Sequence, residues 1–100
     1  MEIKHGVRLA GIAPEMALAA VVVDSVFRDY GLGCVITSVT DSDHGTGSLH
    51  YCGMAFDLRR RHITDDDLLR QIMAELKRRL GPDFDVVLEP THIHVEYDPK

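Results

Sequence analysis

The apolar positions of this chain follow two different periods. From Pro14 to Tyr30, Met16, Ala20, Val23, Phe27 and Tyr30 recur three and four residues apart, the spacing of one helix face. Pro14 suits the first turn, where its missing N–H is no loss. Glu15, Asp24, Arg28 and Asp29 supply a polar side, and Gly31 and Gly33 end the run, so a helix is expected over 14–30. A second helix follows Thr64, the expected N-cap, with Asp65, Asp66 and Asp67 set against the positive end of the helix dipole. Capping explains that acidic triplet without a metal site. Leu69, Ile72, Met73, Leu76 and Leu80 form the buried stripe, Arg70, Lys77, Arg78 and Arg79 face water, and Gly81-Pro82 stops the helix.

Four short runs carry the strand signal: Cys34 to Ser38, Met54 to Leu58, Phe84 to Leu88 and Ile93 to Tyr97. The stretch TDSDHGTGS, Thr40 to Ser48, is a loop by composition, and Glu89-Pro90-Thr91 is a tight connection. The order helix, strand, strand, helix, strand, strand predicts an α+β fold in a single domain, residues 1–100. Its sheet is expected to be four-stranded and mostly antiparallel, with the helices packed on one face and the other face left for a site.

Composition narrows the function. One hundred residues support one core, and a 45% hydrophobic content argues against disorder. Sixteen acidic residues against eleven Lys and Arg, a net charge of −5, disfavour a phosphate-gripping surface, so no nucleic-acid partner is expected. The longest apolar stretch, Met16 to Val23, is far short of the roughly 20 residues that span a bilayer, so no membrane partner is expected either. MEIKHGVRL lacks a signal-peptide pattern, which makes the chain cytoplasmic as synthesised. Cys34 and Cys52 are read as reduced thiols. The sequence gives no indication of oligomeric state.

The unusual feature is six histidines, five of them between His44 and His94. Alternation along the last strand sends His92, His94 and Glu96 to one face and Ile93, Val95 and Tyr97 to the other. Two imidazoles projecting together suit a zinc site, or a ligand beside a catalytic base; a solvated surface pair is the bland alternative. His50 and Asp57 lie seven positions apart around Gly53. Neither spacing is specific alone. A charged Asp57 inside the run Met54-Ala55-Phe56 and Leu58 is nevertheless costly to bury unless paired or metal-bound. Two histidines and one carboxylate make a three-ligand set of the catalytic zinc type, with the fourth position left to water.

These residues carry a resemblance. SLHYCGMAFDL, Ser48 to Leu58, resembles the HxxGxAxD motif of the zinc peptidase superfamily that unites lysostaphin-type endopeptidases, D-Ala-D-Ala carboxypeptidases and hedgehog amino-terminal signalling domains. THIHVEY, Thr91 to Tyr97, resembles its second motif. Phage-type L-alanyl-D-glutamate endopeptidases and carboxypeptidases share the pattern. The resemblance covers most of the chain from Pro14 onward, with its specificity in about 20 residues. It implies Zn²⁺ held by His50, Asp57 and His94, with His92 acting on the reaction and Glu89 as base. A rival register reads Glu89-Pro90-Thr91-His92 as the ExxH of the carboxypeptidases, making His92 the ligand. HIHVEY also matches the H-x-E-Y ending of the carboxypeptidase-like branch, which favours His94. Family substrates, peptidoglycan stem peptides containing D-amino acids, then imply a zinc metallopeptidase that hydrolyses amide bonds. Such a chain reaches the cell wall through a lysis system. The alternative, from the hedgehog side, is a catalytically silent, zinc-stabilised binding domain; Glu89 and His92 together favour the enzyme.

One departure stands out. Relatives place a substrate-gripping arginine in an [ST]-x-x-R context upstream of the first motif, but here Thr37-Ser38-Val39-Thr40-Asp41 has none. Arg59, Arg60 and Arg61 are either a substitute or a solvated basic cluster. TDSDHG resembles the acidic segment of hedgehog domains, so Asp41 and Asp43 are weighed as calcium ligands against an ordinary turn. Cys52 occupies a position that varies in the family, Ser48 orients the loop as the motif implies, and His5, His44 and His62 are read as incidental.

Overall fold

The computed structural model describes residues 1–40 and 54–99. Helix α1, Pro14–Asp29, starts with Pro14 in its first turn and follows an extended Ala13. Its end is a Schellman turn: the Leu32 N–H donates to the Phe27 carbonyl and the Gly31 N–H to that of Arg28, both at 2.9 Å. Gly31 sits at φ +72°, a conformation a side chain would strain. Met16, Ala19, Ala20, Val23, Val26 and Phe27 form the buried stripe.

Helix α2, Asp66–Leu80, is capped one residue later than expected. Asp65 replaces Thr64 as N-cap: its carboxylate accepts the N–H groups of Asp67 at 2.8 Å and Leu68 at 3.2 Å. An ionised acceptor that reaches two free N–H groups at the positive helix end outcompetes a hydroxyl. Leu69, Ile72, Met73 and Leu76 are buried as the periodicity requires, which confirms Met73 as core. Gly81, at φ +85°, ends the helix.

The sheet corrects the expected architecture. It has five strands in the order β1-β2-β3-β5-β4, with β1 Glu2–Ile3, β2 Val35–Thr40, β3 Ala55–Arg59, β4 Phe84–Leu88 and β5 His92–Tyr97. The additional strand, β1, runs parallel to β2, so the sheet is mixed. Backbone bonds from Glu2 to Cys34, 2.8 Å, and from Lys4 to Ile36, 2.9 Å, secure it. A two-residue strand has no periodicity to read; it exists because the edge of β2 offers carbonyls and Ile3 packs on the core. The four longer strands pair antiparallel; β4 has the bounds expected, and those of β2, β3 and β5 are shifted by one or two residues.

Both helices and one face of the sheet meet in a shared apolar cluster. Ile36, Phe56, Leu58, Ile93 and Val95 contribute from the strands and are fully buried, against Val23, Phe27, Ile72 and Leu76 from the helices. The opposite sheet face carries the polar side chains.

Candidate metal centre

Strands β3 and β5 build the site through their register. Asp57 stands directly opposite His94, and Arg59 opposite His92. The flanking residues Phe56, Leu58, Ile93 and Val95 point into the core, so alternation turns Asp57, His92 and His94 to the open face. Core packing therefore holds the three polar groups in place.

The Asp57 carboxylate is the hub. Its Oδ1 lies 2.8 Å from His94 Nδ1 and 3.6 Å from His92 Nε2, while Oδ2 accepts the Ser38 hydroxyl at 2.8 Å. His94 Nε2 lies 3.0 Å from Glu96 Oε1, and His92 Nδ1 lies 3.0 Å from Thr91 Oγ1. Desolvation lowers the His94 pKa, but the hydrogen bonds to Glu96 and Asp57 outweigh it and hold the imidazole above its ordinary value. A carboxylate at each ring nitrogen is what an imidazolium prefers.

Ser38 reaches Asp57 through a β-bulge. Ile36 pairs with Leu58 but Ser38 with Asp57, one residue out of step. Under strict alternation Ile36 and Ser38 would share a face; the extra residue lets Ile36 stay in the core while Ser38 turns outward. Thr37, the residue at the irregularity, donates its hydroxyl to the Asp57 carbonyl at 3.4 Å.

The donor chemistry fits a divalent cation. Asp57, His92 and His94 each offer one ligand atom, and these atoms lie within 4.8 Å of one another. Ligands about 2.0–2.2 Å from a tetrahedral zinc sit roughly 3.3 Å apart, so small rotamer adjustments suffice. The three residues therefore form a group that could hold a metal ion. The nitrogen not used for the metal can donate to a carboxylate, the usual way an imidazole ligand is oriented.

Of the residues expected at the site, Asp57, His92 and His94 come together. His50 lies outside the described residues, as do Asp41, Asp43, His44, Ser48 and Cys52. Glu89 sits in the β4–β5 connection, where its N–H donates to the His92 carbonyl at 2.9 Å and its own carbonyl accepts from Arg60 Nη1 at 2.8 Å. Among the described residues its carboxylate joins no hydrogen bond or ion pair. Ser38 and Glu96 carried no assigned role in the sequence reading. Alternation already put Glu96 on the right face, but nothing local signals the bulge that presents Ser38.

His62 and Cys34 are engaged elsewhere. His62 packs on Phe27, ring centroids 6.1 Å apart, and its Nε2 lies 2.7 Å from the Gly33 carbonyl. Cys34 is a buried free thiol that burial, with Asp24 nearby, pushes up to about 12. Among the described residues no helix is long and apolar enough to cross a membrane.

Compared with known proteins, the chain matches no family model, no curated protein and no solved structure.

Proposed function

We propose that this protein is a zinc metallopeptidase that hydrolyses amide bonds in peptidoglycan stem peptides, reaching the wall through a lysis system. The observation that carries the reading is the opposition of Asp57 and His94 across β3 and β5, with His92 completing a metal-competent group on the open sheet face. His50, Asp57 and His94 are the proposed ligands. Bound zinc supplies Lewis acidity that brings the pKa of a coordinated water toward about 7. The chain's own groups do the rest. Ser38 and Glu96 orient Asp57 and His94. Glu89 and His92, joined by the backbone hydrogen bond from the Glu89 N–H to the His92 carbonyl at the β4–β5 connection, are the proton carriers that take a proton from the attacking water and return it to the leaving amine.

A second reading has one observation in its favour. The Glu89 carboxylate stands apart from the bonded cluster, as in a silent, metal-stabilised binding domain. Metal content and muropeptide hydrolysis, measured on the wild type and Glu89→Ala, separate the two. The peptidase reading expects one zinc per chain, cleavage by the wild type, and at least a hundredfold loss in Glu89→Ala, about the contribution of a general base. Zinc without cleavage leaves the silent domain, and no zinc overturns both. Metal analysis of His50→Ala, His92→Ala and His94→Ala assigns the ligands; zinc lost in His92→Ala but kept in His94→Ala reverses the proposed set.

A further inference from the structure

Strand β4 is an outer strand of the sheet, and its free side is equipped to receive another strand. The Glu89 N–H donates to the His92 carbonyl at 2.9 Å and the Asp98 N–H to the Asp83 carbonyl at 2.7 Å, so in this antiparallel ladder the odd-numbered residues from Asp83 to Glu89 face β5. Val86 and Leu88 therefore turn both N–H and carbonyl outward, and among the described residues no hydrogen bond reaches those groups. Outer strands usually carry a guard: a lysine, a proline, a bulge or a covering element. The run Phe84-Asp85-Val86-Val87-Leu88 has one acid and no lysine, proline or bulge. Val87 and Leu88 are instead 43% and 42% exposed.

Two adjoining clefts of about 670 and 650 Å³ run along this edge beside α2 and share Lys77, Val86 and Val87. The first has an apolar floor of Met73, Ala74, Val86 and Leu88 below Arg70 and Lys77, and the second adds Arg78 and Asp85. Arg70 and Arg78 bond to Asp67 and Glu75 of their own helix, but neither of those carboxylates lines the clefts, and exposed pairs of this kind hold weakly. Three cations thus meet one acid along the edge, in a chain of net charge −5. That charge selects the occupant. A second copy, paired β4 to β4 about Val86, would lay two α2 helices side by side and set Arg70 and Lys77 of each against those of the other. An acidic strand meets no such repulsion.

We infer that the β4 edge and the clefts beside α2 form a docking site for an extended acidic segment of another protein, which joins the sheet as a further strand. Val86 and Leu88 supply the backbone bonds. Seven residues of helix separate Arg70 from Lys77, about 10.5 Å. Residues i and i+4 of a strand lie about 13 Å apart on one face, so two carboxylates at that spacing reach both cations while the apolar residue between them enters the floor. The segment recognised is therefore an apolar residue with a carboxylate two positions away on either side. Helix α2 covers the sheet face opposite Asp57, and this docking site does not depend on the metal-hydrolase reading.

Amide hydrogen exchange of the full chain, followed by NMR, tests this with the peptide acetyl-Thr-Glu-Thr-Val-Thr-Glu-Thr-amide. Saturation is expected to slow exchange at Val86 and Leu88 at least about tenfold, while Val87, already bonded to β5, changes little. A counterpart with lysine in place of both glutamates is expected to bind about tenfold more weakly at low salt, and the gap closes as salt rises. The preference should reverse in Arg70→Glu/Lys77→Glu, two exposed positions of α2, and persist in Lys4→Glu, an exposed cation beyond the opposite edge strand. Failure of the glutamate peptide to bind, equal binding of the two peptides, or binding without protection at Val86 and Leu88 overturns the inference, and so does a preference that survives the charge reversal. Protection of Val86 and Leu88 in the free chain, with a dimer in sedimentation, gives the edge to a second copy and overturns it as well.

Discussion

Asp57 serves three neighbours with two oxygens, and Ser38 is the one that fixes its angle. The Ser38 hydroxyl occupies Oδ2, so Oδ1 is the oxygen presented to both imidazoles. Removing that hydroxyl leaves every proposed metal-binding donor intact but frees the carboxylate to rotate. Ser38→Ala is therefore expected to weaken metal binding at the proposed zinc site by about 10–100-fold, the usual effect of losing a partner that orients a ligand, with little change in thermal midpoint. Competition with a chromophoric chelator measures the affinity, and an unchanged value would remove Ser38 from the site. The facing of His92 and His94 was legible from period-two alternation, because their neighbours Ile93 and Val95 are apolar, whereas Asp57 was singled out only by the cost of burying a charge in the run Met54-Ala55-Phe56 and Leu58. Ser38 was not legible, because the bulge that reverses its face follows from how β2 meets β3.

At the scale of elements, the helices follow from their own sequences more closely than the strands do. Each helix carries its stripe, start and stop within one contiguous segment, so local chemistry is enough. The exception is instructive: Thr64 and Asp65 are both good caps, and the choice depends on which residue adopts the extended conformation before α2. Asp65→Ala should destabilise the protein by about 1 kcal/mol and Thr64→Ala by much less, measured by urea unfolding. Equal effects would return the cap to Thr64. Strand β1 marks the limit of this approach, because two residues gain strand geometry only from a neighbour that lies over thirty positions away in the chain.

On the scale of the whole molecule, charge ties the two helices together and makes stability depend on pH. Arg79 reaches Asp29 of α1 and Glu75 of α2, both at 2.6 Å. Hydrogen bonds from Arg78 and Arg79 lower the Glu75 pKa from 4.5 to about 2. A depressed folded-state pKa stabilises above the unfolded value, so this contribution is complete above pH 4.5 and is lost as the pH falls through about 2. The difference in thermal midpoint between the wild type and Glu75→Gln should narrow across that interval and shrink at high salt. A difference that does not change with pH would dissociate Glu75 from acid sensitivity. By itself the sequence determined the two helices, their buried stripes, the four longer strands and the facing of the His92 and His94 side chains, because each depends on the pattern within one segment. Only the tertiary structure decided the mixed five-stranded sheet, the opposition of Asp57 and His94, the part played by Ser38 and the open edge of β4 beside α2. Each of those depends on strand order and register, which arise when distant segments pair and which no local pattern encodes.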